Sequence, residues 1–406
     1  MDVAALSASV AHQVALRRRR RLQPVGGPGD KIFPPTYPGE NRTDPPRHVF
    51  ERRRIEGQDV WCVLVDSVQS QANRLEQCLL DAIDEGVANI PHVVVDFAGA
   101  GVEPITRITS LDAPHRIYDA ILRDSDLEGQ SFMDSVLGQR LKQAKPESAA
   151  ALLEVSPTAL LFGAWHSTGE GGGLGAKFAR CLVSEVFAVG TPVEDVPNTR
   201  GNRSDVQTAA RRTGSRIDPL GTLRRVEVYE GENGWELSAK AAGKNAKLVR
   251  PSEINHGNIA PSVSALGVTC DYVEHNSVLS FAALRRLRFG GGDKDAAGRA
   301  FLAALGILAI VEQDARGYAL RSRCDLVCDG PGGFELVDAD GTTRSIDIVL
   351  ADARAIYAGA RAAALAAGLA LAPAAVMLKP KDKLVGLIRE SQRLALADAG
   401  GEGENG

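Results

Sequence analysis

The sequence predicts an α+β fold, and three observations carry it. An apolar run at residues 60–65, apolar residues three and four apart over residues 69–88, and a second apolar run at residues 92–97 read as strand, helix and strand. Residues 158–188 add a short apolar run, a glycine-crowded loop and a further segment with helical spacing. Beyond residue 220, more strand-like runs precede and separate helices at residues 296–311, 349–367 and 383–397.

Taken in order, residues 1–54 hold the run Arg17, Arg18, Arg19, Arg20 and Arg21, then a stretch crowded with Pro and Gly that resists regular structure. The expectation is an extended basic arm, its arginines either a solvated face or a contact for nucleic acid. Folding proper is expected from Asp59, with a body over residues 55–378. The helix after the first strand begins with the amide-rich turn Ser67, Gln69, Gln71, Asn73 and Arg74, whose side chains can bond phosphate, sugar or a neighbouring subunit. Capping by Asp66 or Ser67 explains only its start. Residues 103–150 read as a polar, helical insertion in which His115, Arg116 and Tyr118 are structural rather than catalytic, since no nucleophile with a partner lies nearby.

Residues 158–165 are apolar between Pro157 and a polar turn and predict a buried strand. The loop after His166 and Ser167 contains Gly171, Gly172 and Gly173, bare enough for backbone N–H groups to approach a ligand. Leu174, Phe178, Leu182, Val183 and Val186 then predict a helix from about Gly173, with Lys177 and Arg180 in its first turns. A bare loop before a helix N-terminus is an anion site, although a surface loop before a core helix has the same appearance. Lys177 stands between Ala176 and Phe178, so the P-loop pattern fails. Gly171, Gly173 and Ala176 fit a dinucleotide pattern that lacks its second strand and acidic ribose ligand. A nucleic-acid backbone is the polyanion that remains.

Residues 190–220 read as a second insertion, a loop with Arg200, Arg203, Arg211, Arg212 and Arg216 that orders on phosphate. Asn255, His256 and Asn258 are either contacts or turn residues. Arg285, Arg286 and Arg288 suit RNA stacking or a helix end. Residues 379–406 are a C-terminal helix and a disordered glycine-rich tail.

Composition narrows the function. A chain of 406 residues, 44% hydrophobic and 24% charged, is globular and large enough for two or three compact units. Its net charge of −4 argues against a general DNA-coating protein. Charge is segregated, with eleven Lys/Arg against five Asp/Glu in residues 1–54 and seven against seventeen in residues 55–156. The six scattered cysteines suit reduced thiols, with no zinc or redox spacing, and no membrane span or signal core is expected, so a cytoplasmic protein is the default. No cofactor or metal is called for.

The order of elements suggests a modified RRM or ferredoxin-like core with large insertions. Four blocks, DSVQSQANRLE, LLFGAWHSTGEGGGLGAKFARCLVSE, PSEINHGNI and VLSFAALRRLRF, together resemble the RAMP-superfamily backbone subunit of type I-G CRISPR effector complexes, formerly type I-U, from about residue 47 to 395. The resemblance implies an RRM palm with finger and thumb insertions, polymerising along CRISPR RNA and presenting the guide to target DNA beside other effector subunits. It implies no catalysis by this chain. It places RNA contact on Ser67, Gln69, Gln71, Asn73 and Arg74, on the glycine loop with His166, Ser167, Lys177 and Arg180, and on Asn255 and His256. Trp61 and Trp165 are expected in the core. The rival classes are a RAMP-type endoribonuclease, with His166 as its acid-base group, and a nucleotide-dependent enzyme.

Overall fold

The computed structural model describes residues 1–39, 46–166, 177–197, 204–208, 212–214, 227–231, 234–250, 253–254, 262–264 and 266–401. The chain forms two compact units, Met1–Pro192 with Val268–Leu387, and Val193–Gly267 with Ile388–Gly406. Helices and antiparallel sheets together make it α+β.

The first unit is built on a nine-stranded sheet. Its strands in chain order are β1 (Ala15–Pro24), β2 (Phe50–Ile55), β3 (Gln58–Asp66), β4 (Leu182–Val189), β5 (Tyr272–Ser280), β6 (Tyr318–Arg321), β7 (Cys324–Cys328), β8 (Phe334–Val337) and β9 (Thr343–Ile346). They lie in the order β6-β7-β1-β5-β4-β3-β2, with β8 bonded to the first half of β1 and β9 to β8. Every pairing is antiparallel. The β2–β3 hairpin turns on Glu56 and Gly57, both at positive φ (49° and 80°), the geometry that matches the twist of the flanking strands.

One face of this sheet is covered by helices, and the burial pattern shows it. In β5, Val273, His275, Ser277 and Leu279 are buried while Tyr272, Glu274, Asn276 and Val278 are half-exposed, an alternation of period two. The helices on this side are α1 (Val3–His12), α2 (Val68–Asp84), α3 (Pro157–Phe162), α4 (Gly292–Arg316) and α5 (Leu350–Ala366); α2, α3 and α4 touch the sheet, and α1 and α5 pack on α4. Helix α4 is buried continuously from Ala300 to Gln313, as befits a helix packed against α1, α2 and α5. A second sheet in this unit has the order Arg107–Thr109, Val93–Asp96, Val376–Pro380, Ser125–Leu127, Gln130–Ser131. The second unit contains the ladders Val193–Pro197 with Ser204–Thr208 and Arg212–Gly214 with Ser262–Ser264, and a three-stranded sheet of Gly234–Glu236, Val228–Gly231 and Lys247–Val249.

Several sequence expectations need correcting. The N-terminal segment is no extended arm: Asp2 caps α1, and β1 lies inside the main sheet with β5 on one side and β7 and β8, at its two ends, on the other. The β-α-β reading of residues 60–97 splits, since β3 belongs to the main sheet and Val93–Asp96 pairs in parallel with Val376–Leu378 in the second. Residues 103–150 fold as short strands, single helical turns and a seven-residue helix, Val136–Lys142, rather than one helical insertion. Most of the expected strand at residues 158–165 is helix α3. Pro157 starts it at a position where its missing N–H costs nothing, and every residue through Phe162 is buried, so the segment has no periodicity to read. The expected helix from Gly173 is instead the pair Lys177–Phe178 and strand β4. Phe178, Leu182 and Val186 are four apart, and four is even, so the same residues satisfy the alternation of a strand.

Candidate nucleic-acid interface

The glycine loop is framed by a short hairpin in which Ala164 pairs with Phe178 and Trp165 with Lys177. The hairpin is anchored from beneath. Gly163, at φ +87°, gives its carbonyl to Arg116 Nη1 at 3.0 Å, and Arg116 makes a bidentate pair with Glu76 of α2 at 2.7 and 2.8 Å. Burial pushes the Glu76 carboxyl up, against the pull of Arg116. On the returning strand Phe178 is buried, Arg180 Nε donates to the Phe162 carbonyl at 3.2 Å, and the Cys181 N–H donates to Leu161 at 2.9 Å. The base of the hairpin is thus fixed to α2 and α3 while its outer side chains face solvent.

Those outer side chains are basic and aromatic. Lys177 and Arg180 are exposed, and Trp165, expected in the core, is 53% exposed with the Lys177 ammonium 5.5 Å from its ring centre. His166 lies beneath them, buried and stacked on Tyr118 at 5.0 Å. Burial pulls the His166 imidazole below its usual pKa, and the charges of Arg123 and Lys142 push in the same direction. Lys142 is itself ion-paired with Asp134 at 3.2 Å. Tyr118 donates its hydroxyl to the Leu141 carbonyl at 2.9 Å, which makes it a support for His166.

The amide-rich turn divides. Ser67 is the N-cap of α2, accepting from the Ser70 N–H. Gln71 is fully buried with its amide on Asp66 at 2.7 Å, and Arg74 bonds the same carboxylate at 2.9 Å. Ser70 and Arg321 complete the shell around Asp66 at 2.8 and 3.0 Å. Gln71 and Arg74 therefore hold α2 to the sheet, and Gln69 and Asn73 are the members of the turn with exposed side chains. Ser167, Gly171, Gly172, Gly173, Arg200, Arg203, Arg211, Asn255 and His256 lie outside the described residues. Arg212 is in the ladder Arg212–Gly214, its side chain outside the description.

Two other clusters look functional and are accounted for structurally. Ser184 Oγ lies 2.5 Å from His275 Nε2, as in a nucleophile-base pair, but the two residues are 3% and 0% exposed and His275 Nδ1 meets the Tyr318 hydroxyl at 2.8 Å. No substrate reaches this pair, which instead satisfies polar groups inside the sheet. The arginine run alternates across β1. Arg18 is 2% exposed, ion-paired with Asp314 of α4 and set over the Phe334 ring, while Arg17 meets Glu335 at 2.6 Å and Arg21 lies over Tyr272 at 4.2 Å. The helix-free sheet face also carries Arg53 with Glu185 at 2.8 Å, so two of its cations, Arg17 and Arg53, are ion-paired. Among the described residues no cluster of His, Cys, Asp and Glu is arranged for a metal ion, and no helix is long and apolar enough to cross a membrane.

Residues 16–193 match a family described as CRISPR-associated protein GSU0053 (Cas_GSU0053). The similarity is thus to CRISPR-associated proteins. It takes in β1 to β4, the hairpin and the turn from Ser67 to Arg74, and leaves Arg200, Arg203, Arg211, Arg212, Asn255 and His256 outside. No curated protein matches the chain.

Proposed function

We propose that the protein acts in CRISPR defence as a non-catalytic backbone subunit, binding CRISPR RNA along its length without reading sequence. In this reading the main sheet with α2 and α4 is a modified RRM palm. Copies assemble side by side on the RNA in the cytoplasm, with other effector subunits, and hold the guide for pairing with target DNA. The observation that carries it is the hairpin, which presents Lys177, Arg180 and Trp165 outward above the buried His166. This cationic and aromatic surface sits within the stretch similar to CRISPR-associated proteins. Such groups act on phosphate, sugar and ring faces, which position a strand without selecting its bases. Nucleotide-dependent catalysis has less support, since the loop lacks the lysine context of a P-loop.

The test is the double variant Lys177→Ala/Arg180→Ala, titrated with single-stranded RNA at several salt concentrations. Both side chains are exposed, so the fold should be retained. For every phosphate the variant no longer neutralises, the log–log salt slope should fall by roughly 0.7. An unchanged slope with unchanged affinity would remove the hairpin from the RNA path. RNA cleavage by the wild type that vanishes in His166→Ala would replace the scaffold reading with the endoribonuclease.

A further inference from the structure

We infer that Trp165 is a stacking platform for a nucleobase, a role that deepens the RNA-binding reading above and rests on it. A tryptophan half open to solvent on a strand of only two residues contributes little to packing, and burying it would remove apolar surface from water. Its position is nevertheless fixed. The backbone of Trp165 pairs with Lys177, Gly163 before it is tied to Arg116 and Glu76, and His166 after it is packed on Tyr118. An indole held by its backbone and 53% exposed is pre-organised for a flat partner.

The surroundings select the class of partner. Lys177 lies against the ring, and the exposed Arg180 follows two residues beyond the paired strand. A flat, apolar group that carries negative charge on a flexible link satisfies both the ring and the cations, and that is a nucleotide in a single strand. Every base has a π-face, so a stack on Trp165 adds affinity without selecting a sequence. It also fits a loop flanked by phosphate-binding groups, with Trp165 holding a base while Lys177 and Arg180 hold the backbone beside it.

The chain has three tryptophans, and the other two can be replaced. Trp61 lies under Arg52 at 4.8 Å, and Trp235 is exposed in the second unit. In the full-length Trp61→Phe/Trp235→Phe protein, emission reports Trp165 alone. Titration with a mixed-sequence single-stranded RNA should quench it saturably. Trp165→Ala should weaken binding about tenfold with the salt slope unchanged, and Trp165→Phe should restore most of the affinity. An RNA of the same length with abasic positions should bind the wild type no more tightly than it binds Trp165→Ala. RNA binding that leaves Trp165 emission and the Trp165→Ala affinity unchanged would overturn the stacking role and leave the RNA reading standing. Failure of every form to bind RNA would overturn both, and emission that changes only with protein concentration would overturn the stacking role by assigning Trp165 to an interface between copies.

Discussion

His275 is held neutral by its neighbours. Tyr318 donates its hydroxyl to Asp314, so it accepts the Nδ1 proton of His275, and Nε2 is left to accept from Ser184 or Ser277. Burial, with the charge of Arg18, holds the imidazole well below its ordinary pKa of 6.5. The unfolded chain therefore binds a proton that the folded chain refuses. Stability is complete above about pH 6.5 and falls as the pH drops below it. The melting temperature should decline on acidification from pH 7 to 5, and His275→Gln, though less stable at pH 7, should decline less steeply. Equal slopes in calorimetry would assign the acid sensitivity to other groups. Residue roles of this kind are hard to read from sequence. Five consecutive arginines resemble a solvated arm, and only the alternation of β1 sends Arg18 to Asp314 and Arg17 to Glu335. Trp165 misleads in the opposite direction, since an apolar run does not reveal that its last residue has left the core.

At the scale of elements, the long helices are legible because their apolar spacing extends over several turns. Residues 69–88, 296–311 and 349–367 correspond to Val68–Asp84, Gly292–Arg316 and Leu350–Ala366. The hairpin is not legible, because its strands are two residues long and spacing by four fits both helix and strand. Its geometry depends on Gly163. At φ +87° any side chain is strained, and a Cβ there would stand 3.1 Å from the Phe178 carbonyl oxygen and 3.3 Å from the Arg180 nitrogen. Gly163→Ala should therefore both destabilise the protein, by about 1–3 kcal/mol, and displace the strand that carries Lys177. RNA affinity should fall with it. Gly57→Ala, in the β2–β3 turn at φ +80° with nothing within 4 Å, is the control. It should lower the melting temperature and leave RNA binding intact, and an equal drop in affinity in both variants would reduce the hairpin's role to general stability.

At the scale of the molecule, the main sheet is made of distant segments: β1 pairs with β5 and β8, more than two hundred residues away in sequence. Local patterns carry no record of such pairings, which is why the first fifty residues read as an arm. On the proposed reading, RNA binding should be indifferent to sequence. On the sheet's helix-free face Arg17 and Arg53 are ion-paired, and the groups open to a ligand on the hairpin are two cations and an indole, which suit the phosphates and ring faces that every nucleotide shares. Purified from a host that co-expresses a CRISPR array, the protein should elute in several copies on RNA of one defined length. Acidic residues concentrate between 55 and 156 and basic ones elsewhere, so this assembly should weaken above roughly 0.5 M salt, where charges are screened within a few ångströms. With end-labelled strands, unrelated RNAs should bind alike, RNA should be preferred to DNA of the same sequence through its 2′-hydroxyl, and the RNA should remain uncut with or without divalent metal. A monomer free of nucleic acid at low salt, or strong preference among the RNAs, would contradict a filament that grips backbone and stacks bases without reading them.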